Sequence, residues 1–153
     1  MKKIFAMMLI LALAMMAGAA MAEEFETEMQ NALAAAKVSL PDAVVDYTVR
    51  ERDDGRWEWK LFFTQGDQLG ECKVIESTNE IRRVELFKKE AGMLTASEAM
   101  AKLAEKKGAI TVTELELDRD DGRIVYEGEA ELDGKRYEFE MTAGGDIIEW
   151  ERD

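Results

Sequence analysis

The residues of this chain best suited to chemistry are its carboxylates. Asp118-Arg119-Asp120-Asp121-Gly122 places three aspartates ahead of a glycine, the kind of spacing with which a calcium loop surrounds a hard cation with oxygen ligands. The glycine falls one position early for that pattern, and Asp-Gly between two alternating segments reads as a hairpin turn. Paired carboxylates could also act as general acid and base. However, with 33 acidic residues among 153, pairs arise from number alone and the spacing singles out none. Histidine is absent, which removes the commonest general base and zinc ligand. No serine sits in a nucleophile-elbow sequence. The one cysteine, Cys72, alternates with charged neighbours as a buried strand residue does and has no partner for a disulfide. No catalytic, cofactor-binding or metal-binding residue is assigned, and an enzyme is not expected.

The elements that carry these carboxylates are set by a repeat. Arg52-Asp53-Asp54-Gly55-Arg56 returns 67 positions later as Arg119-Asp120-Asp121-Gly122-Arg123, each time between two alternating apolar runs. Asp-Gly tolerates the positive φ that a type I′ turn requires, and a motif recurring in the same context marks a duplicated unit. Phe25, Met29, Ala32, Leu33 and Ala36 recur at helical spacing over Glu26 to Lys37. Four alternating segments follow, from Ala43 to Phe87. Thr95-Ala96-Ser97-Glu98 is a capping box that opens a second helix ending at Gly108, and four more alternating segments run from Ala109 to Glu151. Short connections imply antiparallel meanders. The fold class is α+β, with two tandem α-β-β-β-β repeats and one helix packed on one face of the antiparallel sheet in each. The short linker, Lys88 to Gly92, favours the two sheets joining edge to edge. Trp57 and Trp59 are in phase with Leu61 and Phe63 and are expected in the core.

Residues 1–22 read as a secretory signal peptide. Lys2 and Lys3 precede an uncharged run from Ile4 to Met16, and Ala20-Met21-Ala22 forms a small-x-small cleavage site. Repeat one then occupies 23–90 and repeat two 91–153, in an exported protein with no membrane association after cleavage. The net charge of −13 becomes two units more negative once Lys2 and Lys3 are removed. Nucleic acid is excluded as a partner, because phosphate binding needs clustered cations. Basic proteins, basic peptides and divalent cations remain.

Repeat two resembles the PepSY domain. The resemblance is carried by Leu94-Thr95-Ala96-Ser97-Glu98-Ala99, by Lys107-Gly108 and by Thr111-Val112-Thr113-Glu114-Leu115-Glu116-Leu117. It continues through Asp121-Gly122-Arg123-Ile124-Val125-Tyr126-Glu127, Tyr137-Glu138-Phe139 and Gly145-Asp146-Ile147-Ile148. Repeat one matches the same pattern more weakly, with Trp59 in place of the tyrosine. Tandem units of this kind look like the PepSY-like proteins of bacterial envelopes, whose architecture is compared with β-lactamase-inhibitor proteins. The resemblance implies an exported, non-catalytic module, often proposed to restrain a peptidase, and it brings no set of active-site residues.

With a helix on one side of each sheet, the other side should be solvated and free to dock a protein. The residues expected there are Glu58, Lys60 and Phe62 in repeat one, and Glu127, Glu129, Arg136, Glu138 and Glu140 in repeat two. Phe62 would be an apolar anchor in a polar field. The reading from a different class is a module that senses a small cationic ligand, a metal ion or cell-wall material. The oligomeric state is left open.

Overall fold

The structure, a computed structural model, describes residues 19–153. Its elements run α1 (Ala19–Ser39), β1 (Val44–Asp53), β2 (Arg56–Gln65), β3 (Gln68–Ile75), β4 (Glu80–Lys88), α2 (Ala96–Lys107), β5 (Thr111–Asp120), β6 (Arg123–Leu132), β7 (Lys135–Thr142) and β8 (Ile147–Arg152). The predicted order, one helix and four strands taken twice, is the observed one. Helix α1 begins at Ala19 rather than Glu26. Of the proposed signal peptide, residues 1–18 lie outside the described residues. No described helix is long and apolar enough to cross a membrane.

The Asp-Gly turns form as their chemistry requires. Asp54 and Gly55 have φ of 48° and 78°, and Asp121 and Gly122 have 46° and 79°. Both central residues of each turn are therefore left-handed, as in a type I′ hairpin. The duplication extends to irregularities. The β1–β2 ladder shifts register between Val45 and Tyr47, and the β5–β6 ladder between Val112 and Glu114, again 67 positions on. The β3–β4 and β7–β8 ladders shift after Lys73 and Glu140 in the same relation.

The sheets do not join edge to edge. They remain two four-stranded antiparallel sheets, ordered β1-β2-β3-β4 and β5-β6-β7-β8. In the first core, Met29, Ala32 and Ala36 of α1 cover Trp59, Leu61, Phe63, Cys72 and Val74. In the second, Ala99, Met100 and Leu103 of α2 cover Leu115, Leu117, Tyr126, Phe139 and Met141. Val49, Phe62 and Leu69, from the side of sheet one that faces away from α1, also enter this second core. Sheet two thus stands with its edge strand β5 on the open face of sheet one. Burying Phe62 there contributes about 1.5–3 kcal/mol, which the edge-to-edge arrangement would forgo.

Helix α2 is capped from both repeats. Thr95 Oγ1 accepts from Glu98 N at 3.3 Å, and Glu98 Oε2 accepts from Thr95 N at 2.9 Å, the reciprocal bonds of a capping box. Asp46 of β1 accepts from Ser97 N at 2.9 Å, satisfying a further free amide of the first turn. Trp57 departs from its expected place. It is 43% exposed, beside the hairpin, with the Arg50 guanidinium 4.3 Å from its ring. Cys72 is fully buried and free, as expected, and burial, then the Glu71 charge, pushes its thiol up to about 11.

Candidate functional site: an acidic sheet face

The expected docking residues of repeat one are not on a free surface. Glu58, Lys60 and Phe62 are 0%, 4% and 1% exposed: sheet two covers Lys60 and Phe62, and Arg82 of β4 donates to Glu58 at 2.7 Å. Strand β5 is an edge strand with unpaired backbone groups, and two side chains of sheet one take them up. Lys60 Nζ donates to Leu115 O at 2.9 Å, and Glu71 Oε2 accepts from Leu117 N at 2.9 Å. Residues two apart on a strand present their backbone groups to the same side, so Lys60 and Glu71 form a clamp that grips a strand edge. Around it, Lys60 pairs with Glu51 at 3.2 Å. Lys73 and Arg83 reach Glu116 of β5 at 3.8 and 3.9 Å. Burial pushes the Lys60 ammonium down, but Glu71 and Glu51 outweigh it and leave its pKa raised, so Lys60 is charged at neutral pH. The sequence held one signal of this: Leu61-Phe62-Phe63 is continuously apolar, the pattern of a strand buried on both faces.

The expected residues of repeat two do lie together on the solvated side of sheet two, and the ladder extends them. Glu116, Glu127, Glu140 and Glu149 are directly opposite one another across the four strands, as are Glu114, Glu129, Glu138 and Glu151. The sequence reading named half of these eight. The missed four, Glu114, Glu116, Glu149 and Glu151, sit on the edge strands β5 and β8, and they join the set only once register is known. Cations are sparse. Arg136 lies 3.6 Å from Glu129 and 3.9 Å from Asp153, and Glu116 meets Lys73 and Arg83. The other six glutamates form no ion pair among the described residues. A cleft of about 300 Å³, lined among others by Lys60, Glu116, Glu127, Gly128 and Glu140, opens onto this face where repeat two meets repeat one. Glu140 Oε1 is inaccessible and has no hydrogen-bond partner.

Like charges directly opposite across a ladder are destabilising, and here they recur across three ladders. Burial, then the neighbouring acids Asp118 and Glu116, raises the Glu127 carboxyl above its ordinary value. Burial, then Glu114, raises Glu129. An acid with a raised folded pKa destabilises the fold when ionised; that cost is full above the folded pKa and vanishes below the unfolded one. Thermal stability should therefore rise as pH falls from 7.5 toward the ordinary glutamate value of 4.5, measured by circular-dichroism melts. A Tm that stays flat or drops over this interval would show that the rows do not strain the fold. Among the described residues, no group of three or more carboxylates or thiols is placed to hold a metal ion. Neighbouring strands lie about 4.8 Å apart and side chains on one face of a strand about 7 Å apart, which spreads the carboxylates over a surface instead of gathering them at a point.

Residues 93–151 match the PepSY family, the peptidase propeptide and YPEB domain. The second repeat is similar to a PepSY domain. The matched segment contains α2, strands β5 to β7, β8 up to Glu151, and all eight opposed glutamates, so the glutamate rows lie within the matched segment. Two solved structures are similar to the chain. One is a proposed lipoprotein of Clostridium difficile 630, at 16% identity and TM-score 0.44, covering 82% of this chain and 92% of that one. The other is a BLIP-like protein of Bacteroides fragilis NCTC 9343, at 13% identity and TM-score 0.32, covering 80% and 84%. No curated protein matches the chain.

Proposed function

We propose that this protein is an exported, non-catalytic binding module that docks a basic protein through the glutamate face of its PepSY repeat, and that it restrains an exported enzyme such as a peptidase. The reading is carried by the two rows of directly opposed glutamates, most of them without a cation. A face that costs the free protein stability is accounted for if a partner supplies the missing positive charge. The PepSY match supports a binding or inhibitor-type module. The signal-like N-terminal sequence supports export.

The test uses residues 23–153 in titrations with a lysine-rich peptide, and in inhibition assays against the exported peptidases of the host. Exposed charges are screened over about 8 Å at physiological ionic strength, so affinity should drop at least tenfold between 50 and 300 mM salt. It should also drop on Glu129→Lys. Binding that ignores both would overturn the reading. The cleft beside Lys60 favours a second reading, a small cationic ligand. Spermidine raising Tm where the peptide does not would select it.

A further inference from the structure

The duplication places the acidic face of repeat two in register with a face whose occupant is known. In sheet one, the ladder aligns Val49, Lys60, Lys73 and Arg83 in one row, and Tyr47, Phe62, Glu71 and Glu85 in the next. The matching bulges equate the first row with Glu116, Glu127, Glu140 and Glu149, and the second with Glu114, Glu129, Glu138 and Glu151. On sheet one this surface carries an edge strand, β5, held by its backbone and by a cation row that meets Glu116. On sheet two every cation of that row is a glutamate. Glu138 stands where Glu71 accepts a backbone N–H, and Glu127 stands where Lys60 donates.

Resting on the reading above, we propose that the face of repeat two docks the exposed edge strand of a basic β-sheet partner. Glu138 accepts a backbone N–H of that strand, and the row Glu116, Glu127, Glu140 and Glu149 receives its lysine or arginine side chains. The observations favour a strand over a helix for two reasons. The clamp in repeat one reads backbone groups two residues apart on one side of an extended chain, and a helix has no free N–H groups along its length to offer Glu138. The surface is also continuous with the inter-repeat interface, since Lys60 of the clamp lines the cleft that opens onto it. A second copy of this chain is a poor occupant, because two molecules of net charge −13 repel.

The experiment compares two peptides of equal net charge binding to residues 23–153. One is a disulfide-cyclised β-hairpin with lysines at alternate positions of one strand, and the other is a lysine-alanine helix. The hairpin should bind at least about tenfold tighter, a difference of about 1.4 kcal/mol. Glu138→Leu, which removes the acceptor, should erase most of that preference, lowering hairpin affinity by more than it lowers helix affinity. Installing the cations of repeat one, as Glu127→Lys with Glu140→Lys, should abolish hairpin binding and raise the Tm of the free protein. The Tm gain shows that the variant folds. Equal binding of hairpin and helix, lowered equally by Glu138→Leu, would overturn strand docking and leave general attraction to basic proteins standing. Failure of both peptides to bind at low salt would remove both readings.

Discussion

Replacing Lys60 with methionine is expected to cost about 3–5 kcal/mol of unfolding free energy, the range for breaking a buried charge network by removing one partner. Lys60 is 4% exposed. Its ammonium sits 3.2 Å from Glu51 and donates to Leu115 O at 2.9 Å. Without it, the Glu71 carboxylate is buried without its main compensating cation, Glu51 loses its ion pair, and a carbonyl of the β5 edge has no donor. Burial already raises both carboxyls, with Lys60 the main opposing influence. A loss of this size is a large fraction of the stability of an ordinary domain, and it would appear as a large drop in the urea midpoint. A companion variant, Lys60→Met with Glu51→Gln, should recover part of the loss, because it removes one of the charges left uncompensated. Hydrogen exchange adds a local readout: the Leu117 amide, held by Glu71, should lose protection. A Lys60→Met protein within about 1 kcal/mol of the parent would mean that hydrophobic contacts alone seat sheet two on sheet one.

Gly128→Ala is the second large effect. A Cβ at this position would lie 2.0 Å from Glu114 O and 2.7 Å from Glu114 C, because the bulge at Val112/Glu114 brings β5 over β6. The obstacle is backbone, so no side-chain rotation relieves it. The expected loss is about 3 kcal/mol, at the upper end of overpacking. Gly144→Ala is the control: its nearest neighbour would be 3.7 Å away, and a change within about 0.5 kcal/mol is expected. Gly128 also lines the acidic cleft. Alanine there should weaken binding of the lysine hairpin while every glutamate remains in place. Equal urea midpoints for the two alanine variants would show that β5 can move away from β6 without cost, and that the bulge is not a rigid part of the site.

Much of the molecule was legible in the sequence, for local reasons. Period-two alternation, Asp-Gly turns and the Thr95–Glu98 box act over a few residues, so they specified eight strands, their hairpins and the cap of α2. The recurrence of Arg-Asp-Asp-Gly-Arg disclosed the tandem repeat. The free face of repeat two was also readable, since Glu127, Glu129, Glu138 and Glu140 simply alternate with core residues. Lys60 and Phe62 alternate with core residues in the same way, and their surroundings are the opposite. Alternation tells which residues share a face; it does not tell what covers that face. Only the packing of β5 onto sheet one decided that, because a cover more than fifty residues away leaves no trace in local spacing. Register decided the rest, setting the eight glutamates opposite one another and equating them with the strand-holding surface of the first repeat.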